Sequence, residues 1–413
     1  MREFMEGRVT VNELRAIQVE DLLGRNSVEP ELALLEKAVR GKCVLVTGAG
    51  GSIGSEICRQ VHALGARRLV LVEANEFALF AIGDELRRTA RGDLDRDWPE
   101  LDDVLCTVAD ASAITRVFER YRPETVFHAA AFKHVPLVEA NPTAAVGNNV
   151  FGTLNTALAA QGSGVERFIL ISTDKAVRPP NVMGATKRVC EMILQALHGE
   201  GSRTVFTMVR FGNVLNSSGS VVPLFRAQIA AGGPVTVTDR EVTRFFMTIP
   251  EAAQLVIQAG GLARGGEVFV LDMGDPVRIW EMAETMIHLA GLSVRDAAHP
   301  AGDIEIVEIG LRPGEKLHEE LLIGDNPLPT SHPGIMQARD EMIPLAELEP
   351  VLERLRAAAA AGDEGACRTL LRTLVPTLAP DEAKAARAAK ARQAPRDLPQ
   401  ARALIPARLP DHP

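Results

Sequence analysis

The chain has no run approaching the roughly 18 to 20 apolar residues that a membrane span needs, and its N-terminus carries no apolar stretch of a secretion signal. A cytoplasmic protein without a membrane span is expected. Positive charge is in deficit, with 45 Lys and Arg against 54 Asp and Glu and a net charge of −9. That argues against a general nucleic-acid or anionic-membrane surface, and leaves room only for a local basic pocket for phosphate. Cysteine is sparse. Cys43, Cys58, Cys106, Cys190 and Cys367 show no C-x-x-C or Cys/His spacing, so they read as small buried hydrophobes in a reducing compartment, and no metal site is expected. Lysine is scarce as well, at eight of the 45 basic residues. Four of the eight (Lys133, Lys175, Lys187 and Lys316) fall in the motifs described below. A chain that otherwise uses arginine keeps lysine where a compact, titratable amine is wanted. Tyrosine is nearly absent: Tyr121 is the only one.

What is present is an alternation of short apolar runs with helical spacing. Lys42–Thr47 ends in a glycine loop, Ser52–Leu64 has helical spacing, and Arg68–Glu73 is an apolar run closed by an acid. Asp103–Val108, Thr125–His128, Phe168–Ser172 and Thr204–Arg210 repeat the strand pattern. Short strands separated by helices imply βαβ units and a parallel sheet covered on both faces. Right-handed crossovers make that sheet doubly wound. The expected fold is therefore α/β, of Rossmann type, with a smaller C-terminal substrate-binding lobe. The boundaries are a polar, partly helical lead-in at 1–40 (including Val19–Arg25), a mainly dinucleotide-binding domain at 41–211, a mainly substrate-binding lobe at 212–345, helical hairpin material at 346–377 and a disordered tail at 378–413. Met282, Met286 and Leu289 form an apolar stripe expected in the core of the lobe. No internal repeat is present.

The motif Thr47-Gly48-Ala49-Gly50-Gly51-Ser52-Ile53-Gly54 follows a strand and opens a helix. Glycines 48, 51 and 54 let the backbone turn tightly and approach a pyrophosphate, which the helix N-terminus attracts with free N–H groups and its dipole. Alone such a pattern is weak; strand, loop, helix and second strand in order make it stronger. Glu73 closes the second strand, where an acid binds ribose hydroxyls and disfavours a 2′-phosphate. NAD is therefore expected over NADP, although Arg67 and Arg68 lie close in sequence. His128-Ala129-Ala130-Ala131 is either a small-residue strand end or a wall of the cofactor site. Asp110 and Asn149 complete the cofactor candidates. Together these features resemble the extended short-chain dehydrogenase/reductase superfamily, which normally uses a Tyr-x-x-x-Lys pair. Here that segment reads Met183-Gly184-Ala185-Thr186-Lys187, and Tyr121 lies too far away in sequence to replace the missing tyrosine.

Upstream, Ser172-Thr173-Asp174-Lys175 ends the fifth strand, at the sheet edge where open α/β folds hold their chemistry. A hydroxyl, a carboxylic acid and an amine stand there on adjacent residues; a polar turn capping the next helix would look the same. The stretches STDKAVRPPNVMGATKR, VRFGNVLNSSGSVVPLF, HAAAFKHVPLVEANP, TRFFMTIPEA and LRPGEKLHEELL resemble the polysaccharide-biosynthesis nucleotide-sugar 4,6-dehydratases, over about residues 17 to 375. The chain is similar to the methionine type of that family, whose longer relatives carry an N-terminal membrane region. The resemblance implies dehydration of UDP-N-acetylglucosamine to a 4-keto-6-deoxy sugar by hydride transfer from C4 to C6, and a homo-oligomer. It also implies roles: Lys175 as the C5 base, Asp174 as the acid, Thr173 orienting substrate, Met183 at the tyrosine position and Lys187 on the nicotinamide ribose. A lysine base must be neutral when it acts, so a depressed Lys175 pKa is expected. Lys133 and His134 face substrate, a partner subunit or only solvent. Arg210, Asn213, Ser217, Gly219 and Ser220 follow the sixth strand, where a loop can grip a sugar diphosphate, with Pro223 and Thr238 as further candidates. Arg244 and Arg312 are either phosphate ligands or salt-bridge partners, and Glu315 and Lys316 either meet the ribose or cap a loop. Open alternatives are a 5-inverting dehydratase, a dehydratase of another nucleotide sugar, and a non-catalytic dinucleotide-binding sensor or scaffold.

Overall fold

The computed structural model describes residues 29–322, 327–340 and 342–378; the expected lead-in helix around Val19–Arg25 and the tail from 379 onward lie outside them. Seven strands run parallel: β1 (Cys43–Thr47), β2 (Arg68–Glu73), β3 (Glu100–Leu105), β4 (Thr125–His128), β5 (Arg167–Ile171), β6 (Val205–Arg210) and β7 (Val268–Leu271). Two short strands, β8 (Leu328–Pro329) and β9 (Ile335–Gln337), extend the sheet, β9 antiparallel to β7 and β8 antiparallel to β9. The spatial order β8-β9-β7-β6-β5-β4-β1-β2-β3 reverses direction between β1 and β4, and a doubly wound sheet opens its binding crevice at such a switch point.

Strand side chains alternate between two apolar layers. Leu45, Val70, Phe168 and Leu170 face one layer, built with α4 (Ala111–Tyr121), α5 (Gly152–Ser163) and α6 (Val182–Gly199). Val44, Val46, Leu69, Leu71, Phe127 and Ile169 face the other, with α1 (Leu32–Val39), α2 (Ser52–Ala63), α3 (Glu76–Gly92) and α8 (Ile249–Leu262), which follows α7 (Val221–Ala230). Both faces being covered explains why β1 and β4 are buried along their whole length. The expected helical hairpin is α10 (Leu345–Ala360) and α11 (Glu364–Leu374), after α9 (Ile279–Leu289); it packs into the first layer through Leu348, Leu352 and Leu370.

Three expectations are corrected. The third strand lies at Glu100–Leu105 rather than Asp103–Val108, because an edge strand with alternating partly exposed residues has no continuous apolar run to betray it. The boundary at 211/212 does not separate sheet from lobe. The chain returns to the sheet with α8, β7 and β9, and the smaller unit is only a three-stranded sheet (Val235–Val237, Ile304–Glu308, Val294–Arg295) with its own cluster around Phe225, Met282, Met286 and Ile304. Leu289, at the last position of α9, is exposed rather than in that core.

Candidate active site

The glycine loop and α2 stand at the switch point, and steric room decides their sequence. Gly48 has φ +66°, and a Cβ there would come within 2.7 Å of the Ala130 nitrogen. At Gly54 a Cβ would lie 2.0 Å from the Gly48 carbonyl oxygen. Larger residues would push the loop away from β4 and close the approach to α2. Gly51 is the N-cap of α2 and no side chain caps the helix, so its first N–H groups are free for an anion. Gly51, Ser52, Ile53 and Gly54 all line a cavity of about 900 Å³. Ala129 and Ala131 form the facing wall. Thr47 Oγ1 holds His128 Nδ1 at 2.8 Å and Thr153 Oγ1 holds Nε2 at 3.0 Å; burial, reinforced by Lys187, drives the His128 pKa down to about 3, so the ring is a neutral bracket for that wall.

Glu73 accepts hydrogen bonds from the Gly50, Ala74 and Asn75 nitrogens, which fixes an acid beside the loop. Arg67 and Arg68 pair instead with Glu124, Glu100 and Asp102. Arg68 opens the strand that Glu73 closes, about 16 Å away by strand rise, so neither arginine offsets the acid. Two cofactor candidates have other tasks. Asp110 is the N-cap of α4, accepting from the Ala113 nitrogen. Asn149 is buried and clamps Phe132 through both its amide groups, with a third bond to Thr186. It shapes the wall from behind.

The Thr173–Lys175 turn begins where β5 ends. The Asp174 nitrogen donates to the Phe211 carbonyl, and Asn181, the N-cap of α6, accepts from the Gly184 nitrogen. A Cβ at Gly184 would sit 2.1 Å from the Lys175 carbonyl oxygen, so glycine is what lets α6 press against the turn. Lys175 Nζ donates to Asp174 Oδ1 at 2.9 Å and to Asn213 Oδ1 at 3.0 Å. Thr173 Oγ1 donates to the same Asp174 oxygen at 2.8 Å. Thr173, Lys175, Met183 and Lys187 line the cavity, while Asp174 lies wholly buried behind them. Burial pushes the Lys187 amine below the ordinary lysine range, against the pull of Cys190 and Glu191, and no side chain among the described residues pairs with it. Such a cation suits ribose hydroxyls.

Lys175 corrects an expectation. Burial pushes its pKa down, but the carboxylates of Asp174 and Glu319 outweigh burial and Arg244, so the amine is held above its ordinary value. Glu319, which the sequence reading passed over, also lines the cavity; it lay in plain view within LRPGEKLHEELL.

Arg210 is corrected as well. Its side chain is fully buried, donating to Glu191 through Nε at 2.8 Å and Nη2 at 2.6 Å and pairing with Asp340. Arg188 bridges the same two acids at 3.2 Å, and Ser172 Oγ donates to Glu191 at 2.6 Å. This network ties the ends of β5 and β6 to α6; it meets the cavity only at Ser172, and Arg210 itself does not line it. Arg244 does line it, but its guanidinium is spent on Glu315 and on the Thr243, Lys316 and Leu317 carbonyls. Glu315 in turn accepts from Thr238 and from the Arg312 nitrogen, so it organises its own loop. Arg312 is exposed at the cavity rim with no side-chain partner among the described residues. Lys133, whose pKa burial lowers, and His134 line the opposite rim, with Ser217, Gly219 and Ser220 beside them. The His134 ring fills the space a Cβ on Gly219 would need, its Cε1 2.5 Å from that position. Pro223 and Thr238 do not line the cavity.

The chemistry within reach is thus one crevice holding an anion-accepting loop, a ribose-suited lysine, an acid–amine pair and free cations at the rim. Fold and motifs together define the extended short-chain dehydrogenase/reductase class. Within it the chain belongs to the family described as polysaccharide biosynthesis protein, whose model matches residues 44–340. The chain is 50% identical over 322 residues, 78% of its length, to the capsular polysaccharide biosynthesis protein CapD of Staphylococcus aureus, of which it covers 52%. It is 28% identical over 291 residues to a UDP-N-acetylglucosamine 4,6-dehydratase (inverting) of Campylobacter jejuni subsp. jejuni serotype O:23/36 (strain 81-176), covering 69% of this chain and 79% of that one. The X-ray structure of Pen from Bacillus thuringiensis superposes with a TM-score of 0.61 at 34% identity, over 69% of this chain and 85% of that one. The chain spans about half the length of the first curated relatives it matches.

Proposed function

We propose that this chain is an NAD-dependent nucleotide-sugar 4,6-dehydratase acting on a UDP-N-acetylhexosamine, UDP-N-acetylglucosamine first among them, in surface-polysaccharide synthesis. The observation that carries the reading is the Thr173–Asp174–Lys175 turn opening onto the same cavity as the glycine loop and Lys187, where the superfamily tyrosine is replaced by Met183. A sensor or scaffold has no use for a buried acid–amine pair in that position. The likeness to a relative named as a UDP-N-acetylglucosamine 4,6-dehydratase supports the same reading.

A nicotinamide dinucleotide, when bound, supplies the hydride store that such chemistry needs. Gly48 to Gly54 and the α2 N-terminus would hold its pyrophosphate, Glu73 the adenosine ribose and Lys187 the nicotinamide ribose. The protein's own part is proton handling. Asp174, reached through Thr173, takes the proton of the sugar C4 hydroxyl. Once C4 is a ketone the C5 hydrogen is acidic, and neutral Lys175 removes it while protonated Asp174 gives its proton to the departing C6 hydroxyl, which leaves as water. The Lys175 ammonium then returns a proton to C5, and the pair ends as it began. Acid and base stand 2.9 Å apart, so a change at either residue acts on the pair. Lys133, Arg312 and the Ser217–Ser220 loop would hold the diphosphate and sugar at the rim.

Incubation with UDP-N-acetylglucosamine, beside UDP-glucose, dTDP-glucose and a GDP-sugar, tests the reading. A 4-keto-6-deoxy product from the UDP-N-acetyl sugar alone is expected, and NMR of its C5 proton fixes whether the configuration is kept or inverted. A 4-epimer in place of a ketone, or no product from any of the four, would overturn it.

A further inference from the structure

The elimination just described requires a neutral Lys175 beside an ionised Asp174, yet this site holds the Lys175 amine above its ordinary pKa. A place for that proton is needed which is not Asp174. Glu319 offers one. It lines the same cavity as Lys175, and its Oε2 is buried without a hydrogen-bond partner among the described residues. Asp174 Oδ2 is likewise buried and unpartnered. Lys175 spends two of its three N–H groups on Asp174 and Asn213 and keeps the third. Asp174 is in contact with the ammonium, and Glu319 shares its cavity without an ion pair to it among the described residues.

The other charged groups around Glu319 are already committed. Arg244 is bonded to Glu315, and Lys316 to Glu320 and the Val177 carbonyl. Arg178 pairs with Glu320, His318 Nδ1 is bonded to Thr243, and Lys187 stands across the cavity on α6. Burial pushes Glu319 above the ordinary carboxylate range against the pull of Lys175, which suits a group that is neutral for part of a cycle.

Resting on the dehydratase reading, we infer that Glu319 is a positioning residue that receives the Lys175 proton when substrate fills the cavity, leaving Lys175 a neutral amine and Asp174 a carboxylate. The N–H bond of the Lys175 ammonium breaks and an O–H bond forms on Glu319, by way of a cavity water, with no change in net charge. Asp174 is then free to take the C4 hydroxyl proton and Lys175 the C5 proton. Without Glu319, Lys175 can pass its proton only to Asp174, which disables the acceptor, or to bulk solvent.

The test compares pH profiles of 4-keto product formation for wild type and Glu319→Gln. Wild type is expected on a plateau around neutrality. Glu319→Gln is expected to lose about 10²-fold there and to regain rate steadily as pH rises through the Lys175 titration, with UDP affinity near wild type. In Glu319→Ala, added formate should restore part of the neutral-pH rate; this rescue decides alone should the Gln variant not fold. A Glu319→Gln profile that keeps the wild-type plateau, at full rate or uniformly lowered, would overturn the inference, as would Glu319→Ala without rescue. A wild-type protein that forms no 4-keto product would instead fail the dehydratase reading, before any variant is compared.

Discussion

Lys175→Ala is expected to bind NAD and UDP-sugar about as well as the wild type and to form 4-keto product about 10²–10⁴-fold more slowly, the usual cost of removing one acid–base group. Among the described residues Lys175 Nζ bonds only Asp174 and Asn213, so its loss removes neither the glycine loop nor Lys187 from the cofactor's path. The same change removes the base for C5. Wild type turning over in deuterated water should therefore place deuterium at C5, and Lys175→Ala should accumulate that label only as slowly as it forms product. Wild-type turnover by this variant would end the assignment of Lys175 as base.

Arg210→Ala is expected to cost stability rather than affinity. Arg210 is the central cation of a buried cluster in which two arginines face two acids. Breaking such a cluster by removing one partner leaves a buried charge uncompensated, at about 3–5 kcal/mol. Chemical denaturation should show a drop of that order. Arg210→Lys should recover only part of it, because an ammonium cannot reproduce the two-pronged bond to Glu191. UDP affinity of the folded fraction should be unchanged. If instead KM for the UDP-sugar rises sharply at unchanged stability, Arg210 is a substrate ligand and the buried network has been misread.

These two residues also mark what was legible in the sequence. The glycine loop, the order of strands and helices, and the Thr173–Lys187 segment could be read because their logic is local: a turn that only glycine fits, apolar runs of strand length, an acid and an amine side by side. Arg210 could not. A strand-end arginine beside a loop looks the same in sequence whether it points to the cavity or into the core, and its partner Asp340 is 130 residues away. The bracing of Phe132 by Asn149 was hidden for a similar reason, since its partners Phe132 and Thr186 come from different segments. The raised pKa of Lys175 rests first on Asp174, its neighbour in sequence, and then on Glu319, distant in sequence and brought near by the loop that Arg244 clamps. The edge strand at Glu100–Leu105 was placed late because it has one neighbour and half-exposed polar positions.

The central claim is that one crevice moves hydride from C4 to C6 of the same sugar while Asp174 and Lys175 remove water between them. UDP-N-acetylglucosamine deuterated at C4 tests it most directly, with NMR and mass spectrometry of the product. The account predicts the label at C6 of the 4-keto product, in the molecule that carried it, with C5 exchanged from solvent. Label kept at C4, or absent from C6 of a product formed at full rate, would contradict it.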